Sequence, residues 1–455
     1  MPTSFEERAF FWLPENKHKL LPGMLTATED GIGVELDSTF QEVRELVRVS
    51  AHYPIIHGTT LTGRRFSLFG ALQTGANLSM HGPAREGLWI RHAVLGAHLP
   101  ETAHFDEMHA RLDHLPEWVA RTGIVRGGKA GSWTVSYNPP EPIVAETENG
   151  EVSLRFSSNF DNDPHRAQIR EQIWLVARPP IATNLTEVAD ALLFPIRELI
   201  SFSTSIPAVI EEVTVRKPEA DRASDEPTDL QVFHQFIQPV ESVRRAKIAH
   251  PPDMVFALAD WPGDFVGLVK NWLELKRRAP ATLTALFGLA FAPPRWGDTT
   301  AMIWAQAVET YHRDCFAGGT ADKEAANRRA RVLDASPKAD RVWLEMKLEH
   351  ADEPSLRRRI TDVTRRVKPI VWPLLIKFPG LAMRLSGARN AYAHFGVGTS
   401  ESVKAIDLYG LSQTARWVLT ANLLLDLGFS ETGAKAVIER NSEYRHLAFE
   451  ESGAL

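Results

Sequence analysis

The chain has 455 residues, with 51 Lys and Arg against 57 Asp and Glu, and 44% of it is hydrophobic. This length is typical of two or three domains that each bury a core. The single cysteine, Cys315, excludes a disulfide scaffold and a zinc ribbon held by cysteines alone. The net charge of -6 argues against an electrostatic grip on nucleic acid by the whole chain, though not against a local one.

The sequence also bears on location. It holds no stretch of about 18 apolar residues. The opening residues, MPTSFEERAFFWLP, lack the basic and then apolar pattern of a secretory signal. We therefore expect a soluble cytoplasmic protein, and a lone cysteine suits that reducing compartment.

The first half of the chain reads as an antiparallel β-rich domain, which we place at residues 1–250. Short runs of β-branched and aromatic residues alternate there with Gly, Pro and Asn. Gly127-Gly128 and Asn149-Gly150 are predicted as hairpin turns, because both can supply the positive φ that tight turns need. The predicted strands are 53–59, 65–72, 87–95, 131–137, 151–157 and 168–177, and one helix is predicted at 186–202.

The second half reads as all-helical. A polar loop at 216–230 and the pair Pro251-Pro252 precede it, and further prolines fall mostly between the helical stretches. We predict a helical connector at 251–298 and an all-α domain at 299–455, which makes the chain an α+β multidomain protein. The predicted helices are 263–277, 281–290, 299–316, 321–333, 338–350, 355–370, 380–394, 402–427 and 431–447.

One helix carries residues suited to chemistry on a phosphodiester. Arg389 and Asn390 precede His394 in the segment GARNAYAHFG. Histidine can transfer a proton near neutral pH, and arginine keeps its positive charge against a phosphate. On a helix Arg389 and His394 lie about 140° apart, whereas Asn390 and His394 share a face. These residue types suit acid-base chemistry and the stabilisation of negative charge.

The spacing alone is not specific, since two other segments share it. Arg245 and His250 repeat the spacing but run into two prolines and lack the asparagine. Arg440-Asn441 with His446 fits a looser form of the pattern within a polar terminal helix. Only the 389–394 segment lies in an apolar helix rich in small residues, so we prefer it as the candidate catalytic segment.

The R-N-x-x-x-H motif on a helix of an all-α domain resembles the HEPN ribonuclease family. Helix 301–316, with Glu309 and Arg313, is similar to the opening helix of the ApeA-like HEPN branch. Residues 104–118, HFDEMHARLDHLPEW, resemble the ApeA N-terminal domain. Together these segments extend the resemblance over most of the chain.

The resemblance implies a function and a set of roles. It implies a metal-independent endoribonuclease of bacterial anti-phage defence, acting on cellular RNA such as tRNA and leaving 2′,3′-cyclic phosphate ends. Arg389 would stabilise phosphate charge, His394 would act as acid and base, and Asn390 would position one or both. The family's composite cleft implies a homodimer through the helical domain. The first half would sense a phage component or restrain the nuclease.

Two further sets of residues support this hypothesis but have simpler explanations. Glu309 and Arg313 could orient Arg389 or form an ordinary salt bridge along one helix face. A basic run precedes the motif and could contact RNA or be a solvated helix face. Its members are Arg357, Arg358, Arg359, Arg365, Arg366 and Lys368.

Other interpretations remain open or are disfavoured. A non-catalytic RNA-binding or dimerisation module is the alternative function, and a metal-dependent enzyme built around His104–His114 is a weaker one. The segment 126–132, RGGKAGS, lacks the spacing of a phosphate-binding loop and is better explained as a hairpin. Cys315 is expected to be a buried thiol. No cofactor is expected.

Overall fold

The computed structural model describes residues 5–28, 31–41, 51–77, 84–129, 131–163, 165–224, 226–234, 250–291, 297–316, 323–349, 351, 353–393 and 405–449. These residues separate into two compact units, the first within Met1–Phe202 and Ala208–Ala249, the second within Ser203–Pro207 and His250–Leu455. The first is an antiparallel β structure and the second is helical, which confirms the predicted fold class. The three-part division at residues 250 and 298 stays a prediction.

Six described strands of the first unit close into an antiparallel barrel. They are β1 (Phe5–Trp12), β2 (Leu21–Thr28), β3 (Gly31–Leu36), β4 (His52–Thr60), β5 (Arg65–Asn77) and β6 (Arg85–Leu95). The strand order is β6-β3-β2-β1-β4-β5, and β5 pairs again with β6. Alternate residues such as Phe11, Leu25 and Leu68 point inward, so side chains fill the barrel.

A second set of strands extends the sheet from β6. It comprises β7 (Glu107–Leu112), β10 (Ile143–Thr147), β11 (Gly150–Asp163), β12 (Arg166–Arg178), β13 (Ile210–Arg216) and β14 (Leu230–His234). One edge of β6 is shared, because residues 86–90 pair with β3 and residues 92–95 pair with β14. From β14 the sheet continues through β13, β7 and β12 to the β11–β10 hairpin.

A separate hairpin joins β8 (Ile124–Lys129) to β9 (Ser132–Tyr137), and here one predicted turn is wrong. Gly127 and Gly128 lie inside β8, and the turn falls beyond Lys129, which pairs with Ser132. Gly128 has a different role, since a Cβ there would lie 2.2 Å from the Ser132 carbonyl oxygen. The other predicted turn is confirmed, because Thr147 pairs with Gly150, whose φ is +127°.

The helical segments of the first unit are α1 (Leu115–Val119), α2 (Leu185–Val188) and α3 (Phe194–Thr204). A π-helical turn, Ala189–Leu193, joins α2 to α3 just before Pro195. Proline has no N–H to donate, and a π turn is one way for a helix to absorb that irregularity. The predicted helix 186–202 is thus present with a wider turn inside it.

The second unit is built around a four-helix bundle of α6, α9, α11 and α12. Its described helices are α4 (Phe265–Arg278), α5 (Pro280–Phe291), α6 (Gly297–Phe316), α7 (Lys323–Asp334), α8 (Arg341–Lys347), α9 (Leu356–Arg366), α10 (Trp372–Lys377), α11 (Leu381–Ala393), α12 (Ala405–Leu427), α13 (Glu431–Arg440) and α14 (Ser442–Phe449). The four bundle helices all contact one another. None of the described helices is both long enough and apolar enough to cross a membrane.

The bundle packs as its sequence pattern requires. Trp304, Val308 and Tyr311 are buried on α6 at three- and four-residue spacing. Gly410 on α12 admits the ring of Phe378, because a Cβ at residue 410 would lie 2.0 Å from a ring carbon. The close approach holds the chain before α11 against α12.

One predicted helix, 431–447, is wrong as a single element, because the chain leaves the helix at Asn441. The Asn441 side chain donates to the carbonyl oxygens of Asp253 and Met254, at 3.0 Å and 3.1 Å. Its oxygen accepts the N–H of Tyr444 and so caps α14. A buried amide with three partners favours two short helices over one long helix.

Candidate active site

The candidate catalytic residues lie at the carboxyl end of α11. Leu381, Leu385 and Ala388 bury one face of this helix against the bundle. Their spacing leaves Arg389 partly buried and Asn390 exposed. His394 lies outside the described residues. The structure therefore brings two of the three predicted catalytic residues together on the outer side of the bundle.

The Arg389 guanidinium is not committed to an internal ion pair in the described part of the chain. Its Nη1 donates to Oδ1 of the neighbouring Asn390 at 3.4 Å, a long hydrogen bond. An arginine held this loosely can offer its planar donors to a phosphate. Within the described residues, no ion pair therefore ties the Arg389 guanidinium to the fold.

Glu309 is paired along its own helix. Its carboxylate is buried and accepts a hydrogen bond from Arg313 at 3.1 Å. Arg313 also lies 3.7 Å from Glu353. Within the described residues Glu309 and Arg389 form no ion pair, so the simple salt bridge accounts for the observed geometry. A positioning role for Glu309 stays a prediction.

The basic run on and after α9 divides into outward and inward members. Arg357, Arg358, Arg365 and Lys368 are exposed. Arg359 is only 5% exposed and donates to Glu353 and to the carbonyl oxygen of Pro354. The expected uniform basic face is therefore corrected, since Arg359 stabilises the loop before α9 and cannot face RNA.

Several outward members have local partners. Arg358 and Arg365 both pair with Asp362, at 3.0 Å and 3.1 Å. Lys368 lies over the ring of Trp372, with 4.8 Å between its Nζ and the ring centroid. Such pairs weaken the electrostatic attraction that α9 offers to a phosphate backbone.

Arg366 belongs to a network around the buried carboxylate of Asp426 that the sequence did not reveal. Its guanidinium donates to Asp426 and to the hydroxyl of Tyr311, both at 2.7 Å. Tyr311 donates to Asp426 at 2.6 Å, and Arg278 pairs with the same carboxylate at 2.8 Å. Arg366 lies seven residues after Arg359, on the face that buries Ile360 and Val363. This seven-residue spacing on the apolar face of α9 could have predicted that Arg359 and Arg366 contact the bundle and that their neighbours do not.

Burial sets the protonation of the groups near this network. Burial, and then the charge of Asp426, raises the pKa of the Tyr311 phenol, so it stays a donor. The same causes raise the pKa of the Cys315 thiol to about 11, against the opposing effect of Arg278. Cys315 is therefore a protonated thiol at neutral pH and a poor nucleophile.

His312 also lies close to the motif helices but is a core residue. It is 3% exposed and stacks on Phe316 with 5.2 Å between ring centroids. Burial, followed by the charge of Arg359, lowers the pKa of His312, so its ring is neutral at pH 7. These surroundings do not favour an acid-base role.

The segment suspected of binding metal forms a charge cluster in the sheet. Glu107 on β7 accepts hydrogen bonds from His109, Arg178 and Arg216. Among the residues that the structure describes, no group of three or more His, Cys, Asp or Glu side chains could hold a metal ion. Glu107 therefore links β7 to its neighbours β12 and β13 through Arg178 and Arg216.

The competing Arg-Asn segment is also explained by structure. Both terminal nitrogens of Arg440 donate to the carboxylate of Asp260, one of them at 2.7 Å. This bidentate pair holds α13 against the start of the second unit. The remaining candidate pair includes Arg245, which is not among the described residues.

Comparison with known families assigns both halves of the chain. A family described as ApeA N-terminal domain 1 matches residues 6–272, and one described as Apea-like HEPN matches residues 302–432. The second range contains α9, α11, α12, most of α6 and the segment from Arg389 to His394. Neither a curated protein nor a solved structure matches the chain.

Proposed function

The chain belongs to the ApeA-like HEPN family, and from this premise we propose that it is a metal-independent endoribonuclease of bacterial anti-phage defence. The observation that carries the proposal is the placement of Arg389 and Asn390. They lie side by side on the outer surface of the HEPN-matched bundle, and Arg389 has no competing ion pair among the described residues. An arginine with a purely structural role would instead be paired with a carboxylate, as Arg366 is with Asp426.

The proposed reaction is attack by the 2′-OH of RNA on the adjacent phosphorus. A base takes the 2′-OH proton, the new P–O bond forms, and the bond to the 5′-oxygen breaks as that oxygen gains a proton. The products are a 2′,3′-cyclic phosphate and a free 5′-OH. His394 transfers the protons, Arg389 stabilises the charge on the phosphate oxygens, and Asn390 positions the imidazole or the phosphate.

A second copy of the chain completes the proposed site. Arg389 and His394 are five residues apart, a spacing that does not place them on one helix face. Two helices meeting across a dimer axis bring two such pairs into one cleft. We propose a homodimer through the HEPN-like unit, with RNA in that cleft, tRNA as the first substrate to test, and the β-rich unit as sensor of a phage-derived trigger.

The exposed part of the basic run belongs to this proposal as a secondary contact to RNA. Arg357, Arg358, Arg365 and Lys368 can reach a phosphate backbone. Arg359 and Arg366 are left out because each is hydrogen-bonded inside the unit. Glu309 and Arg313 keep a supporting role, by holding α6 in place.

The proposal is tested by expressing the wild type and His394→Ala in bacteria and sequencing the ends of the cleaved RNA. We expect growth arrest and new 2′,3′-cyclic phosphate ends from the wild type only. Arg389→Ala should lose roughly a hundredfold to a thousandfold in cleavage rate, the usual effect of removing one charge-stabilising donor. His446→Ala is the matched control, since it ends the second Arg-Asn segment and should cleave like the wild type.

The same experiment separates the alternative function. RNA binding by both wild type and His394→Ala, with no cleavage by either, would favour a non-catalytic RNA-binding module. Equal cleavage by the two proteins would instead refute the role of His394. Loss of cleavage in EDTA would show that the metal-free mechanism is wrong.

A further inference from the structure

The helical pair α7–α8 contributes no buried residue to the core of the second unit between residues 324 and 349. It lies between α6 and α9 in the sequence, and its two helices pack on each other. From residue 324 to residue 349 every residue is exposed or only partly buried. Helices of 12 and seven residues are marginal in water without a partner. We therefore expect this exposed helical pair to gain stability from a binding partner.

The outward face of α8 is aromatic and apolar. Trp343 is 56% exposed, Met346 is 64% exposed and Val342 is 66% exposed. These residues follow one another at one- and three-residue spacing, whereas the partly buried Leu344 and Leu348 face the other way. A solvent-facing indole beside flexible apolar side chains is a platform on which a flat ring can stack.

The charge of this pair is opposite to that of the chain. Lys323–Lys347 carries seven Lys and Arg against four Asp and Glu, in a chain whose net charge is -6. Arg331, Lys338 and Lys347 are exposed, and Lys347 lies one helical turn after Trp343. Aromatic side chains interleaved with cations are the pattern by which proteins hold single-stranded nucleic acid.

We propose that the α7–α8 pair binds the RNA substrate, with Trp343 stacking on an unpaired base and Arg331, Lys338 and Lys347 contacting phosphates. This inference rests on the proposed ribonuclease function and adds to it the structural element that binds the substrate. Stacking is tolerant of sequence, so the pair supplies affinity for unpaired loops rather than recognition of a particular base.

The test measures binding of a short single-stranded 2′-O-methyl RNA to the full chain by fluorescence anisotropy. This probe has no 2′-OH and cannot be cleaved by the proposed mechanism. Trp343→Ala should weaken binding roughly fivefold to a hundredfold, the range for loss of one stacked base. Changing Arg331, Lys338 and Lys347 together to Gln should lower the slope of log affinity against log salt by about two.

Matched controls separate stacking from folding and from self-association. Trp133→Ala removes the most exposed indole of the β-rich unit, at 80% exposure, and should leave RNA binding unchanged. Thermal unfolding of Trp343→Ala should match the wild type, since no residue of the pair is in the core. Trp343→Phe should recover most of the affinity because it keeps a ring that stacks.

The outcomes also separate this inference from the proposed function. If wild type cleaves RNA and Trp343→Ala binds the probe equally well, the α7–α8 role is refuted and the nuclease stands. If Trp343→Ala instead changes the oligomeric state at unchanged RNA affinity per subunit, the pair docks a second copy and the RNA role is refuted. If wild type binds the probe through Trp343 but cleaves nothing, the binding role holds and the nuclease is refuted.

Discussion

Each of the two units contains a buried carboxylate that contacts several cationic side chains, and the two units bring these partners together in different ways. In the β-rich unit the carboxylate is Glu107, with a side chain 10% exposed. His109 comes from the same strand at 2.7 Å, while Arg178 and Arg216 come from the two strands that pair with β7. All of these partners are direct neighbours in the sheet.

In the helical unit the carboxylate is Asp426, with a side chain 7% exposed. Its partners are Arg278 on α4, Tyr311 on α6 and Arg366 on α9, whereas Asp426 itself lies on α12. Four helices that are distant in sequence therefore converge on one charge. The difference teaches that backbone pairing already aligns the strands around Glu107, while the helices rely on side chains such as Asp426 to fix their relative positions.

The largest effect on stability should come from Asp426→Asn. The change leaves two arginines facing a neutral amide inside the bundle, and breaking a buried pair in this way costs about 3 kcal/mol when the partners keep some access to water. Urea unfolding followed by helical circular dichroism measures the loss. Glu345→Gln, at an exposed position of α8, is the control and should change little. An Asp426→Asn protein as stable as the wild type would show that hydrophobic packing alone stabilises the arrangement of the bundle helices.

The next effect should come from Glu107→Gln and should depend on pH. Burial alone would raise the pKa of Glu107, but hydrogen bonds from His109 and Arg178 and their charges lower it to about 2, from an ordinary value of 4.5. A lowered folded-state pKa contributes stability that is present above the unfolded value and is lost as the pH falls towards 2. We expect Glu107→Gln to cost about 2 kcal/mol at pH 7, after allowance for the partly exposed arginines.

The pH dependence of the unfolding free energy of that variant distinguishes the loss of a charge from disturbed packing. The difference in unfolding free energy between wild type and Glu107→Gln should shrink between about pH 5 and pH 2, because Glu107 becomes protonated and loses its ionic partners. A difference that is constant over this range would mean that the amide disturbs the packing of β7 rather than removing a charge.

Some features of the structure could be predicted from the sequence, and others, such as these two networks, could not. The strand and helix periodicities predict the fold class, and the Arg389-Asn390 motif predicts where the site lies. Closure of the barrel was not predictable, because it depends on β6 pairing with three strands at once, and this register has no local signature. The break at Asn441 likewise follows from carbonyl groups nearly two hundred residues earlier in the chain.

A smaller effect separates two adjacent arginines of α9. Arg366→Gln should destabilise the helical unit by about 1.5 kcal/mol, because it removes charge-assisted hydrogen bonds to Asp426 and Tyr311. Arg365→Gln removes only an exposed pair with Asp362 and should cost less than about 0.5 kcal/mol. Urea unfolding of both variants makes the comparison. Equal losses of unfolding free energy in the two variants would mean that the contacts of Arg366 with Asp426 and Tyr311 add nothing to stability.

The smallest effect on stability should come from Arg313→Gln, and it resolves the role left open for Glu309. The Arg313 side chain is 54% exposed, so its pair with Glu309 should contribute at most about 0.5 kcal/mol. If the pair only stabilises α6, cleavage of RNA should be unchanged in rate and in salt dependence. A tenfold fall in cleavage rate at unchanged unfolding free energy would instead show that Glu309, released from Arg313, disturbs the neighbouring helix that carries Arg389. Arg313→Lys should then restore the rate, since it keeps a cation within reach of the carboxylate.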